Sequence, residues 1–293
     1  MAVSLADLTN QVERELLVHY ARPLYDVPAS SYNTSVTSIV LANTDQISPG
    51  AILDAGFELM MVVNWVAGTR TATVIRGFLG TTAASGTTST LVRINPPVTS
   101  AGMVDAFLDE LRSWDERVYA TDSDSVSFGA SATSVEITPA RRPYRVLYAR
   151  PRPLGTNYRR LYLDATIRSD EPAGQFASTY SLHIENAIGA TTVDLLYAVP
   201  FDISALTTSS DLLATHGLSE GMLEILKWGA LARVTSGKEA RRLDPSTYNR
   251  PDQIQGFPAT ALLQASAEYR KARDMAYDRE ARRLLAKYPP RFS

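Results

Sequence analysis

Apolar positions recur along this chain with two different periods, and the switches between them divide it into parts. Between Ser4 and Tyr20, Leu5, Leu8, Val12, Leu16 and Leu17 share one helical face, with a Ser4/Asp7 cap at the start and Pro23 beyond the end. From Tyr25 to Asn95 the pattern shortens to β-branched and aromatic runs at 36–42, 51–53, 58–67, 71–75 and 91–94, separated by turn residues such as Pro49-Gly50, Gly56 and Gly68. Ala101 to Tyr119 returns to helical spacing through Met103, Phe107, Leu111, Trp114 and Val118. A second β region, Ser125 to Ile203, has runs at 135–138, 145–149, 160–167, 180–185 and 192–199. The remainder is helical. Leu218–Thr235 places Met222, Ile225, Leu226, Ala230 and Val234 on one face and is expected to close at Gly237, before an irregular stretch, 238–258, holding Pro245, Pro251 and Pro258. Ala259–Lys287 contains neither Gly nor Pro, which permits a helix of about 43 Å at 1.5 Å per residue.

The pattern predicts an α+β chain: a helical hairpin and long C-terminal helices carrying two β units, a small inserted β-barrel-like module and a β-sandwich. The hairpin takes residues 1–24 and 98–120 with the module at 25–97 between them, the sandwich takes 121–205, and the C-terminal helices with a basic loop and an extended tail take 206–293. The last helix has a thin, alanine-rich stripe (Leu262, Ala265, Tyr269, Ala272, Ala276, then Tyr277, Ala281, Leu284, Tyr288). Such a seam buries little per residue and lets another helix approach closely, so it implies a neighbour, from the same chain or another.

Composition removes more functions than it adds. There is no cysteine among the 293 residues, which excludes disulfides, thiolate catalysis and Cys-ligated metals. No apolar run is long enough to span a bilayer, and the acidic, amphipathic N-terminus does not read as an export signal. The three histidines, His19, His183 and His216, fall in separate segments without metal-ligand spacing; no GxSxG elbow, Walker loop or dinucleotide turn occurs, and Asp109-Glu110 and Asp115-Glu116 read as solvated helix surface. The chain is accordingly expected not to be an enzyme and to use no cofactor, metal or small-molecule substrate. Its net charge of −2 divides into about +7 on 227–293 and −9 on the rest. The stretch 141–160 carries seven arginines, Arg141, Arg142, Arg145, Arg150, Arg152, Arg159 and Arg160, and no acid, whereas 101–136 carries eight acids and two arginines. Two such faces either neutralise each other within a chain or meet between copies, as head-to-tail rings require. Narrow seams and charged faces together predict weak self-association of the isolated protein.

One run carries a resemblance. Ile47-Ser48-Pro49-Gly50, Phe57-Glu58-Leu59-Met60, Thr73-Val74-Ile75-Arg76-Gly77-Phe78-Leu79-Gly80-Thr81-Thr82-Ala83-Ala84 and Leu91-Val92-Arg93-Ile94-Asn95 resemble a small β module of tailed-bacteriophage virion proteins. Arg76, Gly77, Gly80, Thr81 and Thr82 form its most specific part and read physically as a tight loop. Ser85-Gly86 stands where a histidine often follows the alanines. The C-terminal order, a helix, then Gly237 to Pro245, a proline-rich loop and a long helix ending in Arg282-Arg283-Leu284-Leu285-Ala286-Lys287-Tyr288-Pro289-Pro290-Arg291, is similar to phage head-to-tail adaptors.

The resemblance implies a structural neck component: a ring, usually of twelve copies, that binds the portal protein and downstream neck or tail proteins in the virion. DNA would pass through it without sequence-specific binding, and no membrane would be involved. A tail or baseplate protein sharing the module, and a carbohydrate-binding β-sandwich, are the alternatives. Within this frame Arg282, Arg283, Lys287, Tyr288, Pro289, Pro290, Arg291 and Phe292 are expected to meet the portal or an adjoining subunit. Prolines there lower the cost of ordering, while Tyr, Phe and Arg supply contact area. The 141–160 arginines are expected to meet a neighbouring copy.

Overall fold

The computed structural model describes residues 2–16, 23–45, 47–152, 163–172, 174–185, 191–204, 206–242 and 261–289, with the backbone alone at 237–242 and 261. The expectations for His19, Arg159, Arg160, Pro290, Arg291, Phe292 and the loop 243–258 lie outside the described residues. The fold is mixed α+β, with four helices and twelve strands among the described residues and every strand pairing antiparallel. The chain divides into two compact units, one of Ser4–Asp109 and Leu226–Ala272, the other of Met1–Val3, Glu110–Ile225 and Arg273–Ser293.

In the first unit, α1 (Leu5–Leu16) opens on a reciprocal cap: Asp7 N–H donates to Ser4 Oγ, while the Ser4 N–H and O–H donate to the Asp7 carboxylate at 2.9 and 2.8 Å. The strands β1 (Leu24–Asp26), β2 (Ser38–Val40), β3 (Ile52–Ala55), β4 (Glu58–Val66), β5 (Thr71–Ile75) and β6 (Val92–Ile94) form one curled sheet in the order β1-β6-β3-β4-β5-β2. Its inner face buries Ile39, Leu53, Met60, Val62, Ala72, Val74, Val92 and Ile94. A register shift between Val62 and Asn64 leaves Val63 exposed and bends β4, the usual effect of one extra residue in a strand. β1 is a sixth strand beyond the five expected. It has three residues between Pro23 and Pro28, and only Asp26 is buried, so no apolar run announces it.

Helix α2 (Ser100–Arg112) starts on Thr99, whose Oγ1 accepts from Gly102 N–H at 3.1 Å, and ends seven residues before the expected Tyr119. Trp114 and Val118 are still buried, but a turn rather than a helix delivers them. Arg93 on β6 ties the sheet to the end of α1 and the start of α2: its guanidinium lies 2.8 Å from Glu13 and 3.2 Å from Asp54, and it also contacts Ser100 Oγ. Asp54 in turn accepts from Ser100 N–H at 2.7 Å. Burial pushes the Asp54 carboxyl above its ordinary range, against the pull of Arg93 and Ser100. α3 (Glu220–Arg242) and α4 (Ala261–Lys287) enter this unit at Leu226 and leave it at Ala272. There Trp228 stacks on Tyr269 at 5.7 Å and Ser266 Oγ donates to the Ala232 carbonyl at 3.1 Å, so the alanine-rich seam of α4 meets a helix of its own chain. α3 runs through Gly237, the expected stop. A helix tolerates one glycine for about 1 kcal/mol, which is too little to stop α3 at Gly237.

The second unit contains two three-stranded sheets, β7-β12-β9 and β10-β11-β8, built from β7 (Ala120–Phe128), β8 (Ser134–Glu136), β9 (Arg145–Arg152), β10 (Ala165–Arg168), β11 (Ser181–Ile184) and β12 (Thr191–Val199). Val126, Phe128, Ile137, Ala149, Leu182, Ile184, Val193, Leu195 and Tyr197 make one shared core. β7 pairs with β12 over nine residues, yet the sequence hides it. Two of its five core-parity positions are Asp122 and Asp124, opposite Tyr197 and Leu195, which breaks the apolar alternation. Residues of α4 from Arg273 onward belong to this unit, where Tyr277 O–H donates to Asp115 at 2.6 Å and accepts from its N–H at 3.1 Å. Arg117 and Arg273 lie 4.9 and 5.0 Å from the centroid of the same ring.

Candidate interaction surfaces

The loop after β5 is built around one arginine. Arg76 Nε and Nη2 each donate to a different Glu58 oxygen at 2.7 Å, Nη1 donates to the carbonyls of Asn33 and Val36 at 2.8 and 2.7 Å, and Nη2 donates again to Ala84 O at 2.5 Å. All five donors of the guanidinium fork are thereby used. Glu58 completes the knot by accepting from the N–H groups of Gly77 (3.1 Å) and Ala84 (2.9 Å). Both side chains are buried, at 8% and 0% exposure. Burial raises the Glu58 carboxyl, but hydrogen bonds from Arg76, Ala84 and Gly77 outweigh it and hold the group below its ordinary value. The Tyr32 ring lies under the guanidinium at 5.1 Å, and the space a Gly86 side chain would need is occupied by that ring. Tyr32 therefore fills the place beside the loop where Gly86 has no side chain.

The knot presents Phe78-Leu79-Gly80. Gly77 and Gly80 sit at positive φ, and a Cβ on Gly77 would lie 2.7 Å from the Thr81 carbonyl. Thr81 fixes the return by donating to Phe78 O (3.0 Å) and accepting from Leu59 N–H (3.0 Å). Thr82 follows outside regular secondary structure. Leu79 at the tip adopts φ 55°, ψ 30°, a left-handed conformation costly for a branched residue, and is 77% exposed. Ile75, Val63 and Val66 on β4 and β5 are also exposed. From Gly77 to Val92 there is no charged residue.

Within the second unit the basic strand is partly neutralised by its own chain. Arg141 reaches Asp122 (3.5 Å) and the Pro200 carbonyl (2.8 Å), Arg152 reaches Asp194 (2.7 Å), and Arg145 lies 5.3 Å from the Tyr119 ring centroid. Arg142 and Arg150 are exposed. At the end of α4, Arg283 grips Glu280 with two bonds of 2.8 and 2.6 Å, and Glu280 also accepts from Ser219 Oγ at 2.5 Å. Arg282 and Lys287 are exposed, and Lys287 lies 5.1 Å from the Tyr288 ring. Tyr288 and Pro289 turn to line a cleft of about 610 Å³ that opens between β9 and β10. β9 is the edge of one sheet and β10 the edge of the other; among the described residues one backbone bond links the two lines, Leu163 N–H to Ala149 O at 2.9 Å.

His183 lies on β11 at this cleft and His216 stands apart from it in the sequence and in the cleft lining. Among the described residues no three metal-capable side chains come together, and no helix is long and apolar enough to cross a membrane. The sequence reading missed Glu58 as the partner of Arg76 and missed the cleft. The only signal for the former was an acid opening an otherwise apolar strand. A comparison with protein-family models finds no match to this chain, and a comparison with curated proteins finds none either.

Proposed function

We propose that this chain is a structural protein of a tailed-phage virion, a head-to-tail adaptor whose copies form a ring between portal and tail with the DNA passing through. On this reading α1 and α2 are the hairpin into which the curled sheet is inserted, and the two three-stranded sheets form a β-sandwich. The observation that carries it is the 76–84 loop. The residues shared with the virion module converge on one buried, fully hydrogen-bonded knot, and the product of that knot is a fixed, uncharged, apolar tip rather than a pocket for chemistry. A rigid apolar knob on a small scaffold suits a protein whose task is to pack against others.

The test is capture by the portal ring. Purified portal rings are mixed with the chain and the product is weighed by mass photometry; the expected result is a discrete complex with a whole-number complement of chains, usually twelve. Labelled chain found at the baseplate of virions and not at the neck favours the tail-protein alternative and overturns the adaptor reading.

A further inference from the structure

The cleft beside β9 and β10 carries unlike charges at its two ends. The strands are joined by the bond from Leu163 N–H to Ala149 O, and the cleft runs away from that bond along 144–148 and 163–168. Arg145 is four residues from Ala149 and Arg168 five from Leu163, so both stand toward the far end. Asp164 is next to the bond, and the register, continued one step beyond the Ala165–Ile184 pair, puts Glu185 across from it. At 3.3 Å per residue, Asp164 and Arg168 are about 13 Å apart along β10. Between these ends, Leu163, Ala165 and Ile167 come from the core side and Tyr144, Tyr148 and Tyr288 are half-buried. A volume of about 610 Å³ with apolar and aromatic walls and a few polar groups is the usual make-up of a small-molecule site.

Arg145 sets the charge of the ligand. Its guanidinium lies 5.3 Å from the Tyr119 ring centroid, its Nε is buried with no acceptor, and among the described residues no carboxylate pairs with it. Arg168, which is exposed, has no carboxylate partner among them either. A guanidinium at a cavity wall is matched best by a carboxylate, which its fork can bind through two parallel N–H···O bonds. A bare anion leaves the rest of the cleft unused. Asp164 and Glu185 repel further negative charge but accept from hydroxyl groups, His183 adds a ring nitrogen, and the tyrosines offer apolar faces with polar tips. We propose that this cleft binds an acidic sugar, with its carboxylate on Arg145 and Arg168, its hydroxyls on Asp164, Glu185 and His183, and its ring against the tyrosines. The site is built within one unit of the chain and does not depend on the adaptor assignment.

Titration of the full chain tests it, followed by saturation-transfer NMR and calorimetry. The probes are glucuronate, galacturonate and N-acetylneuraminate, with glucose and acetate as controls. At least one acidic sugar is expected to bind with a Kd below about 10 mM and about tenfold more tightly than either control. Arg168→Met changes an exposed position and should weaken that binding about tenfold at unchanged Tm. Arg145→Lys keeps the charge but not the fork and should weaken it by a similar factor. No binding by any of the three acids overturns the proposal. Acetate bound as tightly as the sugars leaves a plain anion site, and glucose bound as tightly removes the guanidinium anchor; either result overturns it. Undiminished binding in both variants puts the ligand elsewhere and overturns it too. Failure of portal capture leaves these affinities untouched, so the two readings fail separately.

Discussion

Replacing Arg76 by methionine removes a buried cation that bonds two carboxylate oxygens and three carbonyls. The methionine stem fills much of the same space, so the cost falls on what is left behind. Glu58 keeps its N–H donors from Gly77 and Ala84 but loses its counter-charge at zero exposure. Breaking a buried pair from one side costs about 3–5 kcal/mol, and the loosened loop carbonyls of Asn33, Val36 and Ala84 regain water for part of their loss. Arg76→Met is therefore expected to destabilise the curled-sheet unit by about 3–5 kcal/mol. Glu58→Gln should cost a similar amount, because an amide cannot accept on both sides of the guanidinium.

The double variant is expected to cost at least 2 kcal/mol less than the sum of the singles, on the order of couplings seen within one network. Urea unfolding followed by Trp65, which packs against the core of this unit, reads these differences. Acid titration adds a sign. Glu58 is held below its ordinary value in the folded chain, so its contribution is present above that ordinary value and is lost as pH falls through the folded one. A cost below 1 kcal/mol for Arg76→Met, or additivity of the two changes, refutes the idea that the pair organises the loop.

Gly77→Ala forces a Cβ to within 2.7 Å of Thr81 O at φ 59° and is expected to lower stability by about 1–3 kcal/mol, read as a fall in Tm. Leu79→Asn relieves the left-handed tip, so thermal stability should hold or rise while portal capture falls; unimpaired capture removes Leu79 from the interface. Tyr277→Phe loses both bonds to Asp115 and should cost about 1–2 kcal/mol in urea. Tyr277 is pushed up to about 12 by burial and by Asp115, so its contribution is full below pH 10 and is lost as pH rises from there to about 12.

The helices and most strands were legible because their apolar residues keep a period of 3.6 or 2, as Leu5, Leu8 and Val12 do in α1 and Val74, Ala72 and Ile39 do in the curled sheet. What escaped was held by something other than periodicity. β7 is fixed by nine residues of pairing to β12, which carries the apolar face that β7 lacks at Asp122 and Asp124. α3 passes Gly237 because nothing there forbids a helix. The Arg76 knot joins a carboxylate 18 positions away to backbone carbonyls at Asn33, Val36 and Ala84 that any sequence would supply, so only the glycines that make room for it were readable. The basic strand looked like a free face because sequence does not show that Asp122 and Asp194 lie beside Arg141 and Arg152.

The same pairing makes salt a means of finding which surface associates. Between residues 25 and 97 the chain has three arginines and four acids, and all seven are engaged: Arg70 with Asp45, Arg76 with Glu58, Arg93 with Asp54, and Asp26 with the N–H groups of Val27, Asn43 and Thr44. An interface built on Leu79, Ile75 and their neighbours therefore has no free charge to screen, and added salt should leave it unchanged or tighten it. An interface built on Arg142 and Arg150, both exposed, should weaken as the Debye length shrinks from about 10 Å at 0.1 M to about 3 Å at 1 M. Changing Arg142 and Arg150 to Glu should leave monomer stability within about 0.5 kcal/mol, since neither lies in the buried pairs. Portal capture measured across that salt range, with this double variant beside Leu79→Asn, assigns the contact. Capture that holds at 1 M and fails only with Leu79→Asn locates it at the loop tip. Capture that collapses with salt and survives Leu79→Asn refutes the tip as the docking element and moves the contact to the basic strand.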